Sequence, residues 1–293
     1  MAHYEIEDVE FLRHGDNPLY ARLYRPSGKG PFRTVIELHG GVWSLNDRTH
    51  TEPAHRALAE AGIAVAALDF RQGLAGAYPK SIADVHYGIR WVKAHAHLLR
   101  SRPDLVGVCG QSSGGHIALL IAMRPDDPRY AAIPLIKESP RVDATFHCLH
   151  LFWPVVNPLG RYRLARHLSS LQGSPDWAVR HVPLHDTYWG TEANMAEGSP
   201  LLALQHSENV RTVPALWVQP RVDEQHIYQD PGSTEPGTDL DKFVAAYRRA
   251  GGEIGLAYYD APQYFTVHDS GSAASQQAFA RMIAFFKKHI PEP

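Results

Sequence analysis

The chain has 293 residues, 44% of them hydrophobic and 20% charged, with a formal net charge of -2. That is the composition of a globular α/β-sized domain, and its near-neutral charge argues against nucleic acid or an anionic membrane surface as a partner. Two cysteines, Cys109 and Cys148, are too few for a disulfide framework; both lie in apolar runs and are expected as buried free thiols.

Taken in order, residues 4–12 and 19–25 alternate apolar and polar side chains, with Gly15, Asp16, Asn17 and Pro18 between them. This predicts an antiparallel pair at a sheet edge. Residues 34–38 read as a strand running into His39-Gly40-Gly41-Val42-Trp43, and a helix over 51–62 ends at a glycine. Residues 63–68 form an apolar strand closed by Asp69-Phe70-Arg71, where Asp69 and Arg71 are expected to pair as a structural ion pair. A helix over 81–97 follows, carrying Asp84 in a structural role. Then come a strand from Leu105, a helix-compatible run from Ile117 to Met123, and a strand-like run over 144–153. Residues 154–210 break the alternation, mixing Pro, Gly, Arg and aromatics, with helices expected over 161–171 and 198–206. The pattern resumes with strand 215–218, helix 239–250, strand 254–259 and helix 271–289. Strands alternating with helices predict a mostly parallel sheet covered on both faces. The expected organisation is one domain over 1–293, with 154–210 inserted as a cap or lid.

The chemistry centres on Gly110-Gln111-Ser112-Ser113-Gly114-Gly115-His116. An apolar strand, a Gly-x-Ser-x-Gly turn and a helix in that order form a nucleophile elbow. The turn must expose the Ser112 hydroxyl while strand and helix nearly touch, which leaves no room for side chains at Gly110 and Gly114. It also delivers the Ser113 amide to the helix N-terminus, where an oxyanion can bind. Upstream, His39-Gly40-Gly41 follows a strand. Amides of Gly40 and Gly41 there can approach the same oxygen. His116 is expected to pack in or near the elbow helix.

Eighteen histidines invite a metal reading. They are scattered, and no His-Glu-x-x-His or Cys-x-x-Cys spacing occurs, so neither a metal nor a cofactor is expected. The opening residues, Met1-Ala2-His3-Tyr4-Glu5, have neither the basic nor the apolar region of a leader, and no run reaches about 20 apolar residues. The expectation is a cytoplasmic protein acting on a small molecule, its oligomeric state left open.

On these motifs the chain resembles the α/β-hydrolase superfamily, in its hormone-sensitive-lipase-like and kynurenine-formamidase-like branch, over about residues 20–290. Asp69-Phe70-Arg71, Tyr78-Pro79 with Asp84 and Trp91, and Ser199-Pro200 add to the likeness. The resemblance implies a nucleophile, acid, histidine order. It places the acid after strand 215–218, at Asp223 in preference to Glu224 or Asp269. It places the histidine after the last strand, at His268. Ser112 would be the nucleophile, His268 the base and Asp223 its orienting acid. Val42 stands where many esterases have a third glycine, Pro220-Arg221 replaces the usual glycine before the acid, and His268-Asp269-Ser270 lacks the usual glycine and phenylalanine. Aromatics near the motifs are commonly core, but Trp43, Trp153, Trp189 and Phe265 are the best candidates for a pocket wall. The implied function is a serine hydrolase cleaving a carboxylic ester of a small to medium substrate. An amide or formamide hydrolase with the same triad is the alternative, and a non-catalytic hydrolase-fold binding protein a weaker one.

Overall fold

The computed structural model describes residues 4–137 and 139–293. Eight strands form one sheet in the order β1-β2-β4-β3-β5-β6-β7-β8. β1 (Tyr4–His14) and β2 (Asn17–Pro26) are antiparallel, as are β2 and β4 (Ala64–Leu68). β3 (Phe32–Leu38), β4, β5 (Ser101–Gln111), β6 (Leu149–Phe152), β7 (Ala215–Pro220) and β8 (Ile254–Tyr259) run parallel to one another. The opening hairpin is tighter than the sequence predicts. Its loop is Gly15-Asp16 alone, with Gly15 at φ +58°, and Asn17 and Pro18 already pair with His14 and Arg13.

The strand residues sort by parity onto two cores, as the period of two in a strand requires. Ile36, Leu38, Ala64, Ala66, Leu68, Val106 and Val108 face one core with α2 (Lys80–Ala94), α3 (Ser113–Met123) and, near the β7–β8 edge, α8 (Asp239–Arg249). Val35, Val65, Leu105 and Cys109 face the other, with α1 (Glu52–Glu60) and α10 (Ala273–His289). Both faces are covered, so these strands are mostly apolar rather than alternating, and β4 is apolar and buried at every residue. Truncating a fully buried Ile36 to Ala would cost about 2–5 kcal/mol. Cys109 and Cys148 are buried free thiols.

Two local readings are corrected. The run 144–153 is a strand only over Leu149–Phe152, where β6 pairs with Val108–Gln111 and Ala215–Val218; single backbone bonds at His147 and Trp153 continue to β5 and β7. Asp69 and Arg71 do not pair with each other. Arg48 Nη1 binds Asp69 at 2.8 Å, and Arg71 grips the fully buried Asp84 through Nε (2.8 Å) and Nη2 (2.7 Å).

Between β6 and β7 lie four helices where the sequence predicts two: α4 (Pro158–Ser169), α5 (Asp176–Trp189), α6 (Glu192–Glu197) and α7 (Pro200–Gln205). α4 starts at Asn157, whose side chain accepts from the Gly160 amide at 3.1 Å, with Pro158 in the first turn. α5 is hidden in the sequence by Pro183 inside it. Trp177, His181, His185, Tyr188 and Trp189 bury one side of that helix and hold it across the proline. The short remaining helix, α9 (Phe265–His268), follows β8. Among the described residues no helix is long and apolar enough to cross a membrane.

Candidate active site

β5 turns into α3 at Ser112, which sits at φ +48°, ψ -114°. A serine holds that strained conformation only when its surroundings impose it. The close packing is visible at the glycines: a Cβ on Gly110 would lie 2.7 Å from the Gly115 Cα, and one on Gly114 2.2 Å from the Leu38 carbonyl oxygen. Ser113 is the first residue of α3, so its amide is one of the helix's unpaired donors. On the other side, β3 delivers Gly40 beside Ser112; a Cβ there would lie 3.2 Å from the Ser112 Cβ. Gly41 has φ +123°. Gly40, Gly41, Gln111 and Ser112 together line a cavity of about 250 Å³.

The histidine on Ser112 is His226. Its Nε2 lies 2.9 Å from Ser112 Oγ, and its Nδ1 lies 2.8 and 3.0 Å from the two oxygens of Asp223. Both residues come from one turn after β7. The Asp223 carbonyl accepts from the amides of His226 (3.3 Å) and Ile227 (2.8 Å), a helical turn in all but length. Side chains three apart on such a turn share a face, so Asp223 and His226 meet. Asp223 also accepts from Gln219 Nε2 (3.0 Å), the Gln225 amide (3.1 Å) and Gln263 Nε2 (2.7 Å). Burial alone would raise its carboxyl; the His226 imidazole and these donors outweigh that and leave it lowered. An ionised Asp223 can only accept, so the proton of His226 sits on Nδ1 and Nε2 faces the serine hydroxyl as an acceptor. Outside this contact, Gln225 Nε2 donates to Gln263 Oε1 (2.9 Å) and Tyr264 Oη to Gln225 Oε1 (2.8 Å), locking the turn to the loop after β8.

The resemblance implied His268 for this place, and the structure corrects it. His268 ends α9, is exposed, and reaches only the pocket wall. The residue that β8 brings to the acid is Gln263, an amide that cannot act as a base. Of the carboxylates weighed, Asp223 is 3% exposed and touches the imidazole, whereas Glu224 and Asp269 face solvent. The sequence did hold a signal for His226, the Asp-x-x-His spacing at 223–226, but it became meaningful only once that stretch was known to coil.

The four aromatic candidates for a pocket wall are core. Trp43, Trp153 and Phe265 are 0% exposed, Trp189 is 1%, and none lines the cavity. Trp43 stacks on Tyr188 (5.2 Å between centroids) and meets Trp189 edge-on. Its Nε1 donates to His116 Nδ1 at 3.2 Å, while His116 Nε2 donates to the Gly198 carbonyl at 2.7 Å. This buried cluster ties the Gly40-Gly41 turn to α3 and α5. The wall is built instead by Leu45, His50, Arg180, His181, Leu184 and Tyr264, among others.

Ser112, His226 and Asp223 thus make a chain of contacts at the C-terminal edge of a mostly parallel sheet. A thermostable esterase from Pseudomonas putida superposes with a TM-score of 0.73 at 18% identity, covering 100% of this chain and 85% of that one. A hyperthermophilic esterase from Pyrobaculum calidifontis gives 0.71 at 19%, covering 97% and 83%. The fold is that of an α/β-hydrolase. The BD-FAE family model matches residues 22–142 of the chain, from β2 through the elbow and beyond. In sequence it is 27% identical to a probable carboxylic ester hydrolase, LipM, from Mycobacterium tuberculosis, over 82% of this chain and 56% of that protein. These matches bear out the resemblance to the esterase branch. The chain spans about half the length of the curated relatives it matches.

Proposed function

We propose that the protein is a serine carboxylic-ester hydrolase in which Ser112, His226 and Asp223 form the catalytic triad. The observation that carries this is the 2.9 Å contact between Ser112 Oγ and a His226 ring whose other nitrogen is held by Asp223. A serine hydroxyl is a weak nucleophile until a base takes its proton. His226 Nε2 accepts that proton as Oγ attacks the acyl carbon, then returns it to the leaving alcohol as the acyl-enzyme forms. Water repeats the cycle: Nε2 takes its proton, the hydroxide attacks the acyl carbon, and Oγ recovers the proton as the acid leaves. Asp223 holds the tautomer and stabilises the transient imidazolium. Amides of Gly40, Gly41 and Ser113 bind the oxyanion. Residues 154–210 act as a cap, since Arg180, His181 and Leu184 of α5 close one side of the cavity.

The complete relay disfavours a binding protein that has lost catalysis. The names of the similar proteins favour an ester over an amide or formamide. The test is a panel of p-nitrophenyl esters and aryl formamides together with a fluorophosphonate probe. Ester turnover with labelling at Ser112 supports the reading. Turnover of aryl formamides alone would move it to the amide class, and labelling at Ser113 would remove the assignment.

A further inference from the structure

The residues lining the cavity include Arg180, His181, His50 and His268 and not one carboxylate. In the wide surface trough beside α3 the cations are paired: Arg124 with Glu197 and Glu208, and Arg129 with Asp127 and Glu197. Arg180 is exposed at the cavity and forms no salt bridge among the described residues. His181, one residue on, is buried, and its Nδ1 has no hydrogen-bond partner there. Behind them lies Arg161 of α4, 0% exposed. Its guanidinium packs over the Trp43 ring at 5.2 Å, its nearest polar neighbour is His185 Nε2 at 3.4 Å, and its Nη1 is unpartnered. A buried cation without a counter-ion is costly to hold. Burial, then the charges of Arg161, His226 and Arg180, push His181 down to about 2, so its ring stays neutral. One wall of the cavity therefore offers an exposed cation, a neutral imidazole with an unpartnered ring nitrogen, and a buried positive charge beneath.

We propose that the substrate is an ester or amide bearing a carboxylate, docked on Arg180 and His181 with Arg161 as the fixed charge behind them. This rests on the hydrolase reading of Ser112. One reachable cation and one neutral imidazole match a monoanion better than a phosphate dianion. Docking made equally in ground and transition states appears in KM rather than in kcat.

The test compares p-nitrophenyl hemiglutarate with its methyl ester, which has the same chain without the charge. A carboxyphenyl acetate and its methyl ester place the charge on the leaving group. In one of these pairs the anion should have the higher kcat/KM by about ten- to a hundredfold, through KM, as for one charge-assisted contact. Arg180→Gln should reduce that ratio about tenfold, while Lys287→Gln, the same change of net charge on the exposed end of α10, leaves it intact. Binding of monomethyl glutarate is followed by calorimetry in parallel. Turnover of neutral esters with no anion preference in either pair overturns the carboxylate site and leaves the hydrolase reading standing. Absence of all turnover with monomethyl glutarate binding that weakens in Arg180→Gln overturns the hydrolase reading alone. Absence of both overturns both.

Discussion

His226→Gln is the substitution that separates the structure from the sequence-level expectation. Glutamine is close in size and polar, but it cannot take a proton from Ser112. The structure indicates that little else should fail: with the imidazole gone, Asp223 still accepts from Gln219, the Gln225 amide and Gln263. The carboxylate is not left as an unpaired buried charge, so the fold should survive. What is lost is, among the described residues, the only base within hydrogen-bond distance of Ser112 Oγ, at 2.9 Å. Loss of a triad base lowers kcat by about 10⁴–10⁶, or about 5–8 kcal/mol of transition-state stabilisation at roughly 1.4 kcal/mol per decade. His268→Ala removes an exposed pocket-wall side chain and should cost less than about tenfold. Steady-state hydrolysis of p-nitrophenyl acetate and butyrate, with near-ultraviolet circular dichroism to confirm folding, measures both. Folded His226→Gln with more than a tenth of wild-type kcat/KM, or His268→Ala losing about a thousandfold, would refute the assignment.

Gln263→Leu removes the 2.7 Å donor to Asp223 and the link to Gln225. The expected result is a kcat loss of about 10–100-fold with KM little changed, recovered in part by Gln263→Asn, and equal losses in kcat and stability with no recovery would argue for a merely structural residue. Asp223→Asn should lose about 10⁴ in kcat through the wrong imidazole tautomer, while Glu224→Gln, at an exposed carboxylate, should lose less than about tenfold; the reverse ranking in folded proteins contradicts the geometry. Trp189→Ala should act on stability, costing about 3–5 kcal/mol in a denaturant titration, rather than on the ratio of long- to short-acyl ester turnover. Stability should also fall with acid. Burial pushes His116 and His150 down to about 3, so below the unfolded value near 6.5 the unfolded chain binds protons that the folded chain does not. Between those limits the two together remove up to about 2.7 kcal/mol per pH unit, and the effect levels off once the folded imidazoles protonate. The raised carboxyl of Asp239 acts in the opposite sense but only near the carboxylate range. A melting temperature unchanged between pH 7.5 and 5.5 would contradict this, and His150→Phe should shallow the slope.

The alternation of apolar strands with helices, the Gly-x-Ser-x-Gly turn and the Gly40-Gly41 segment were legible in the chain itself. Each is a local requirement: strands covered on both faces are mostly apolar on both, and a turn as tight as that at Ser112 excludes side chains at Gly110 and Gly114. Backbone geometry imposes those residue types wherever the motif occurs, so they announce themselves without a partner. The helix α5 was not legible, because Pro183 contradicts a helix locally and only the packing of Trp177, His185, Tyr188 and Trp189 overrides it. The pocket wall was not legible either. An aromatic beside a motif has the same composition signal whether it faces substrate or core, and Trp43 and Trp189 bury themselves against each other and His116. His226 shows the division most clearly. Its spacing from Asp223 was in plain view, but eighteen histidines compete for that role. Which of them meets Ser112 depends on how the turn after β7 coils across a sheet from the elbow. That is a contact 114 residues apart in sequence, decided by the order of β5, β6 and β7 in the sheet and by no local preference of the chain.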